Sequence, residues 1–182
     1  MVKLDGVVYR CISLQRWKKG QIVPRRAVYD EGRWNPAPQW ALYTSHTAEV
    51  AIEEKRCDRA RRRRGLVESI GKAIPDPLAD EFVVIEFPVP AEGRLRTLDA
   101  RRLPPGLLDP CLRPDNFAES HRVAREAIDA GMVRLIVPSC PCPDDWNSVF
   151  YYFGDGQLEE DDLPSPDPPT REVGRIALPL SS

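Results

Sequence analysis

The sequence predicts an α+β domain in which one compact mixed sheet packs with two main helices. Runs of β-branched and aromatic residues predict about six short strands, and two longer segments carry apolar residues at helical spacing. The strands do not alternate regularly with the helices, which favours α+β over α/β. Because 182 residues is close to the length of one domain, we expect residues 1–182 to form a single domain.

The predicted strands are recognised by their valine, isoleucine and aromatic content. In chain order they are Val7–Ser13, Trp40–Ser45, Glu81–Val89, Val133–Val137 and Ser148–Phe153, with Leu95–Leu98 and Val173–Leu180 as weaker candidates.

The first helix is predicted over Ala48–Arg64, with Thr47 as its N-cap. The run Arg61–Arg64 followed by Gly65 predicts its end, because cations suit a helix C-terminus and glycine suits the next position. We expect these arginines to form a solvated helix end. Binding of an acidic partner is the alternative.

A second amphipathic helix is predicted over Phe117–Ala130 and is closed by Gly131. Glycine and proline mark Leu14–Pro38 as a long loop, and prolines mark Arg101–Pro114 as another. The acidic, proline-rich stretch Gln157–Arg171 is expected to be a surface loop.

Charge and hydropathy exclude several classes of protein. The net charge of −2 gives no bulk attraction to nucleic acid. No stretch approaches the ~18 consecutive apolar residues of a membrane helix. Asp5 and Gly6 precede any long apolar run, unlike a secretory signal. We therefore expect a cytoplasmic protein that binds neither nucleic acid nor a membrane.

The cysteines and histidines do not favour a metal site. Five cysteines, an odd number in a chain without a signal, indicate reduced thiols. Cys140 and Cys142 form a C-x-C pair, and the two histidines are His46 and His121. A zinc site would need most of the scattered cysteines, so we expect no metal.

Common catalytic motifs for phosphate binding, dinucleotide binding or hydrolysis are absent from the sequence. The informative pattern is an ordered string of short motifs. They are Tyr9-Arg10, Gly32-Arg33-Trp34-Asn35-Pro36, Leu42-Tyr43-Thr44-Ser45, Ala51-x-x-Glu54, Ser120, Val137-Pro138-Ser139 and Asn147.

The order and spacing of these motifs resemble the RES family, named for its Arg, Glu and Ser, over roughly Val7 to Phe153. Its members are toxins of bacterial toxin–antitoxin pairs, related in fold to ADP-ribosyltransferases of the diphtheria-toxin type, and known members consume NAD. The resemblance implies that NAD is a substrate rather than a redox cofactor, and that a cognate antitoxin is a partner.

Two positions depart from the family pattern. Glu31 stands where members often have a second glycine, which would leave the loop less free in φ. Asn147 is followed by Ser148-Val149-Phe150, where many members carry N-P-x-H. The role of that histidine is therefore absent here or filled differently.

Glu54 is the candidate catalytic carboxylate that the resemblance implies. Cleavage of the nicotinamide–ribose bond passes through an oxocarbenium-like transition state, which a carboxylate stabilises. Helical spacing places Glu54 on one stripe with Val50 and Ala51. Glu53 lies about 100° away around the helix, on the side of Arg56, and is expected to be solvated.

Arg10 and Arg33 are the candidates for holding the pyrophosphate of NAD, because the planar guanidinium pairs bidentately with phosphate. Arg10 is the stronger candidate, since it interrupts an apolar strand and corresponds to the family arginine. Tyr43 offers a flat face for the nicotinamide ring, with ordinary core packing as the alternative.

Ser120 and Ser139 are both candidates for the family serine, and either would hydrogen-bond the ligand. Ser120 opens the second long helix and could equally cap it. Ser139 follows a strand end, where side chains often meet ligands. Asn147 is the remaining candidate ligand residue, with stabilisation of a turn as its alternative.

The predicted function is cleavage of NAD by a RES-type toxin, as an NAD glycohydrolase or phosphorylase. Water, phosphate or a protein side chain could accept the ADP-ribosyl group, so an ADP-ribosyltransferase is one alternative. A binding or regulatory module that has kept the fold without turnover is another, in view of Glu31 and the missing histidine.

Overall fold

A seven-stranded mixed sheet forms the centre of the computed structural model, which describes residues 6–19, 32–36, 39–70, 81–88, 95–113, 116–152 and 171–177. The strands are β1 (Val7–Ser13), β2 (Trp40–Ser45), β3 (Glu81–Pro88), β4 (Thr97–Asp99), β5 (Arg134–Pro138), β6 (Trp146–Tyr152) and β7 (Arg171–Ala177). The helices are α1 (Leu14–Lys18), α2 (Ala48–Ile70), α3 (Pro105–Cys111) and α4 (Ala118–Asp129), with a 3-10 turn over Ala100–Arg102.

The strand order is β4-β5-β6-β2-β1-β3-β7. The β4–β5 pair is parallel and the other neighbouring pairs are antiparallel, so the predicted α+β class with a mixed sheet is confirmed. β1 runs beside β3 along its whole length, but it shares a single residue pair with β2, Tyr9 with Ser45. The two strands therefore separate on either side of this pair, which we call the seam.

The two long helices cover one face of the sheet. Ala51 of α2 packs with Cys11, Phe82 and Val84 of strands β1 and β3. Val123, Ala124 and Ala127 of α4 pack against Leu135 and Val137 of β5 and Val149 of β6. Strand alternation puts a second core on the opposite face, and Leu14, Trp17 and Leu95 pack against it. Its buried members are Val8, Ile12, Leu42, Val83, Ile85 and Phe150.

Two of the predicted signals at the ends of the long helices are confirmed, the predicted end of α2 is wrong, and Ser120 does not cap α4, whose N-cap is Phe117. Thr47 Oγ1 accepts a hydrogen bond from the Val50 amide at 3.2 Å, as expected of an N-cap. Gly131 follows α4 with a φ of +71°. The predicted end of α2 at Arg64 is wrong, since the helix continues through Gly65 to Ile70. Glycine inside a helix costs only about 1 kcal/mol relative to alanine, which is too little to end it.

Both predicted loops contain helices. Within Leu14–Pro38, α1 begins directly after Ser13, whose side chain accepts a hydrogen bond from the Arg16 amide at 3.3 Å. Within Arg101–Pro114, Pro105 stands in the first turn of α3. Proline suits that position because its missing N–H has no partner there. Pro105 therefore starts a helix, and Pro110 lies inside the same helix.

The last predicted strand is confirmed as β7, which begins at Arg171. The rest of the predicted surface loop Gln157–Arg171 lies outside the described residues, as do Val89 and Phe153. Across the described ranges, no helix has the length and apolar character needed to cross a membrane.

Two glycines give opposite expectations for substitution by alanine. Gly131→Ala should destabilise the protein by about 1–2 kcal/mol, because a φ of +71° is strained for an L-residue. Gly106→Ala, inside α3 with no heavy atom within 4 Å of the new Cβ, should stabilise it by ~0.5 kcal/mol. Urea unfolding of both variants measures the two free energies. Equal stability of Gly131→Ala and the wild type would contradict the left-handed backbone conformation of Gly131.

Candidate active site

Glu54 of α2 meets two side chains from the other half of the sheet. Its Oε1 atom accepts hydrogen bonds from Ser139 Oγ at 2.8 Å and from Asn147 Nδ2 at 2.5 Å. The buried Val50 and Ala51 lie one turn earlier on the same stripe of the helix, as predicted. We call Glu54, Ser139 and Asn147 the Glu54 cluster.

Sheet register explains why these three residues converge. Residues paired across neighbouring strands share a face, and Tyr9, Ser45, Asn147 and Val137 are paired in one row from β1 to β5. Tyr9 packs in the core under α2, so Asn147 points to the same side as that helix. Ser139 comes directly after β5, two residues beyond Val137, and therefore lies on the same face of the sheet.

A tight connection between β5 and β6 holds Ser139 in place. The Ser139 amide donates to the Asp145 carbonyl at 3.0 Å, and Ser139 Oγ accepts from the Cys142 amide at 3.3 Å. Its hydroxyl hydrogen remains for Glu54. Ser139 is almost completely buried, so little water competes for these bonds.

The Glu54 cluster leaves two oxygen acceptors without partners among the described residues. Asn147 is buried and uses its Nδ2 on Glu54, while its Oδ1 accepts no hydrogen bond from the described part of the chain. Within the same ranges, Glu54 bonds through Oε1 and not through Oε2. A buried carbonyl without a donor is costly, so this arrangement suits a ligand that carries hydroxyl or amide donors.

The Gly32–Pro36 segment, called here the 32–36 loop, is held by the side chains of its own motif and of β2. Asn35 Oδ1 accepts hydrogen bonds from the Gly32 amide at 2.9 Å and from the Tyr43 hydroxyl at 2.7 Å. The Tyr43 hydroxyl in turn accepts from the Trp34 amide at 2.9 Å. The motif spacing therefore encodes a closed hydrogen-bonded turn.

Glycine is required at position 32 by close approach. A Cβ there would lie 2.4 Å from Asn35 Oδ1 and 2.6 Å from the Tyr43 hydroxyl, both far inside van der Waals contact. Glu31, whose effect on loop freedom was the expectation from sequence, lies outside the described residues.

Two residues outside the motifs also hold the 32–36 loop. The Tyr151 hydroxyl donates to the Trp34 carbonyl at 2.9 Å, and burial raises the pKa of Tyr151 far above its usual value. His121 Nε2 lies 2.9 Å from the Gly32 carbonyl and must carry the hydrogen, since a carbonyl only accepts. Neither role was predicted, because both depend on contacts between residues about 90 or more positions apart along the chain.

Arg33 points away from the 32–36 loop toward the helices. Its Nη1 donates to the carbonyls of Cys111 at 2.8 Å and Arg113 at 2.6 Å, and its guanidinium lies 4.8 Å from the centre of the Phe117 ring. Burial raises the pKa of the Cys140 thiol, the positive charge of Arg33 lowers it and the negative charge of Glu54 raises it further.

Arg10, the stronger candidate for the pyrophosphate, stands beside the seam. Strand alternation places it on the face of Val8 and Ile12, opposite Tyr9 and the Glu54 cluster. Its Nη1 atom is buried. Arg10 and the Glu54 cluster are therefore reached from different faces of the sheet at the position where β1 and β2 separate.

Ser120 and Tyr43 have structural contacts of their own. Ser120 is completely buried in the first turn of α4, where its hydroxyl donates to the Phe117 carbonyl at 3.0 Å. The structure thus brings Ser139, not Ser120, to Glu54. The Tyr43 hydroxyl is engaged by the 32–36 loop. The ligand roles of Ser120 and Tyr43 stay predictions.

A second buried polar group, not predicted from sequence, lies behind Asn147. Ser148 Oγ accepts from Arg134 Nε and Nη2 at 3.0 and 2.8 Å, and it lies 3.0 Å from His46 Nε2. The Ser148 hydroxyl therefore donates its hydrogen to His46 Nε2, and this nitrogen carries no hydrogen of its own. Burial, with Arg134 and Arg101 nearby, lowers the pKa of His46 to about 3. His46 is therefore uncharged at neutral pH.

The hydroxyl of Tyr43 can be tested apart from its ring. Tyr43→Phe removes one donor to Asn35 and leaves the Trp34 amide without its acceptor, so it should cost about 1–3 kcal/mol of stability. Urea unfolding measures this free energy. A free energy of unfolding equal to that of the wild type would show that the hydroxyl does not hold the 32–36 loop.

Comparison with known proteins supports the resemblance found in the motifs. A family model of the RES domain matches residues 7–175. Among solved structures, the chain is similar to the MbcT toxin in the crystal structure of the M. tuberculosis MbcT-MbcA toxin-antitoxin complex, with a TM-score of 0.53 and 16% identity. The similarity covers 97% of this chain and 86% of that chain, and at such identity it shows the fold.

No curated protein matches the chain. The family match nevertheless extends across the two long helices, from the first residue of β1 into β7. It includes the 32–36 loop and all three members of the Glu54 cluster. The resemblance predicted from the motifs is confirmed, and the chain belongs to the RES domain family.

Proposed function

We propose that this protein is a RES-type toxin that breaks the nicotinamide–ribose bond of NAD, as a glycohydrolase or phosphorylase, and that a cognate antitoxin restrains it. The observation that carries the proposal is the buried convergence of Ser139 and Asn147 on Glu54 Oε1. Membership of the RES family and the fold shared with a toxin from a toxin–antitoxin complex support it.

The chemistry needs one well-placed carboxylate. When the C1′–N bond of NAD breaks, its electron pair goes to the pyridinium nitrogen and neutral nicotinamide leaves without a proton donor. The ribosyl carbon becomes cationic, and the ionised carboxylate of Glu54 stabilises it. An acceptor then forms the new bond to C1′. With water as the acceptor, one proton is released and the product is ADP-ribose.

Ser139 and Asn147 hold this carboxylate for its task. Both donate to Oε1, so the Glu54 side chain is held in one orientation and Oε2 remains for the substrate. The Oδ1 atom of Asn147 is the neighbouring acceptor. Two adjacent acceptors suit the hydroxyl groups of the nicotinamide ribose. In this proposal the family serine is Ser139, since Ser120 bonds to backbone within its own helix.

The rest of NAD would lie near the seam, where β1 and β2 share one residue pair and Arg10 stands next to it. The Arg10 guanidinium would bind the pyrophosphate bidentately. The Tyr43 ring, two residues before Ser45 on β2, would flank the nicotinamide.

Release of free nicotinamide from NAD by the purified protein is the direct test. Repeating the assay with phosphate or with candidate target proteins identifies the acceptor, because phosphorolysis yields ADP-ribose phosphate and transfer labels a protein. NAD that stays intact under all three conditions would favour a binding module without turnover.

Glu54→Gln and Glu53→Gln form a matched pair. Glu54→Gln should lower kcat for nicotinamide release by about 10²-fold or more, because it removes the stabilising charge and keeps the shape. It should also relieve growth arrest on expression. Glu53 is half-exposed and ion-paired with Arg56 on the helix surface, so Glu53→Gln should behave like the wild type. Near-normal turnover by Glu54→Gln would remove the carboxylate mechanism from α2.

Substitution of Arg10 tests the pyrophosphate contact. Arg10→Lys should raise the KM for NAD about tenfold, since an ammonium cannot replace a bidentate fork, and Arg10→Ala should raise it further. Turnover of nicotinamide riboside, which lacks the pyrophosphate, should change little. Wild-type KM values for NAD in Arg10→Ala would assign the pyrophosphate to another residue.

A further inference from the structure

We propose that His46 is a positioning residue for the hydrogen bond between Asn147 and Glu54, because it fixes the residues on either side of Asn147 against the start of α2. Its effect on turnover rests on the proposed function, whereas its effect on that hydrogen bond does not.

His46 stands between the strand that pairs with Asn147 and the helix that carries Glu54. β2 ends at Ser45, the partner of Asn147 across the sheet. On the other side of His46, the Thr47 hydroxyl caps the first turn of α2. A contact from His46 to β6 therefore constrains both of the elements that meet in the hydrogen bond between Asn147 and Glu54.

The His46 side chain contacts both neighbours of Asn147 in β6. Its Nε2 atom lies 3.0 Å from Ser148 Oγ, and the centre of its ring lies 5.1 Å from that of Trp146. Its backbone amide donates to the Trp146 carbonyl at 3.3 Å. Since side chains alternate along a strand, Trp146 and Ser148 lie on the face opposite Asn147. His46 thus holds β6 from behind while the Asn147 side chain faces Glu54.

The contact with His46 completes the hydrogen bonding of a buried hydroxyl. Ser148 is completely buried, and its Oγ accepts from Nε and Nη2 of Arg134 at 3.0 and 2.8 Å. A hydroxyl has one hydrogen to donate, and a guanidinium cannot accept it. Among the described residues, His46 Nε2 is placed to accept this hydrogen. Without that acceptor the Ser148 hydroxyl has to turn or stay unpaired, which is costly in a buried position.

Backbone pairing of β6 gives less support near Asn147 than in the middle of the strand. The ladder between β2 and β6 ends at the pair of Ser45 with Asn147. On the other side, Trp146 pairs with Pro138, which has no N–H to donate. Loss of the side-chain contacts with His46 should therefore let this end of β6 shift and weaken the hydrogen bond from Asn147.

Two substitutions separate the reach of the His46 side chain from its polarity. In His46→Gln the amide extends about as far as Nε2 and can accept from Ser148, whereas the amide of His46→Asn is too short. Exchange of the Asn147 side-chain amide hydrogens with solvent is followed by proton–nitrogen NMR. Exchange should be about tenfold faster in His46→Asn, because the hydrogen bond to Glu54 opens more often, and close to the wild-type rate in His46→Gln.

The second measurement follows nicotinamide release from NAD. His46→Asn should lower kcat about tenfold and leave the KM for NAD nearly unchanged, because the carboxylate is less well oriented and the contacts to the pyrophosphate are intact. His46→Gln should recover most of the loss. If His46→Asn does not fold, Ser148→Ala replaces it in both measurements, since it removes the same hydrogen bond and leaves a smaller side chain.

Gly131→Ala is the control matched for stability. It should destabilise the protein at the end of α4, where the new Cβ meets Arg96 and no member of the Glu54 cluster. Both the exchange at Asn147 and the turnover of NAD should match the wild type in this variant.

Two results would overturn the inference. One is exchange at Asn147 that stays at the wild-type rate in His46→Asn, or that rises equally in His46→Asn and His46→Gln. The other is an equal loss of turnover in both His46 variants and in Gly131→Ala, since reduced stability alone would then account for it. If the wild type releases no nicotinamide, the proposed function fails, and the exchange rate still decides whether His46 holds the hydrogen bond.

Discussion

The hydrogen bonds from Ser139 and Asn147 to one oxygen of Glu54 are the interaction on which the candidate site depends. They join a helix, α2, to the end of β5 and to β6, two strands that lie far along the chain. A carboxylate tied in this way loses rotational freedom before any ligand arrives, which is the condition for electrostatic stabilisation without reorganisation. The sheet register places Asn147 and the β5–β6 connection places Ser139, so that both side chains reach Glu54.

Hydrogen bonds from several elements hold the loop beside the candidate site in one arrangement. The 32–36 loop closes on Asn35 and Tyr43, while Tyr151 and His121 hold its carbonyls. Such buried networks specify one arrangement because any other leaves donors or acceptors unpaired. Outside this network, the Oδ1 of Asn147 has no hydrogen-bond partner in the part of the chain that the structure describes, and it lies at the site where a ligand is proposed to bind.

Arg33 and Arg10, the two arginines that the sequence predicts as pyrophosphate ligands, have different surroundings in the structure. The Nη1 of Arg33 donates to two carbonyls of the helical layer. Arg10 stands where two strands separate, with a nitrogen buried in the protein. Both residues are arginines that belong to the motifs, so the difference in their contacts comes from the neighbours of each guanidinium.

Local pattern in the sequence was enough to predict the fold class, the strands, the N-cap at Thr47, the register that selects Glu54 over Glu53, and the family. These depend on local periodicity, capping and motif order, which adjacent residues encode. Contacts in the folded chain were needed to show that Ser139 rather than Ser120 reaches Glu54, and that α3 starts at a proline. The same kind of contact shows that a neutral His46 meets Ser148. Hydrogen bonds and burial between residues far apart in the chain decide such matters, and local pattern carries no information about them.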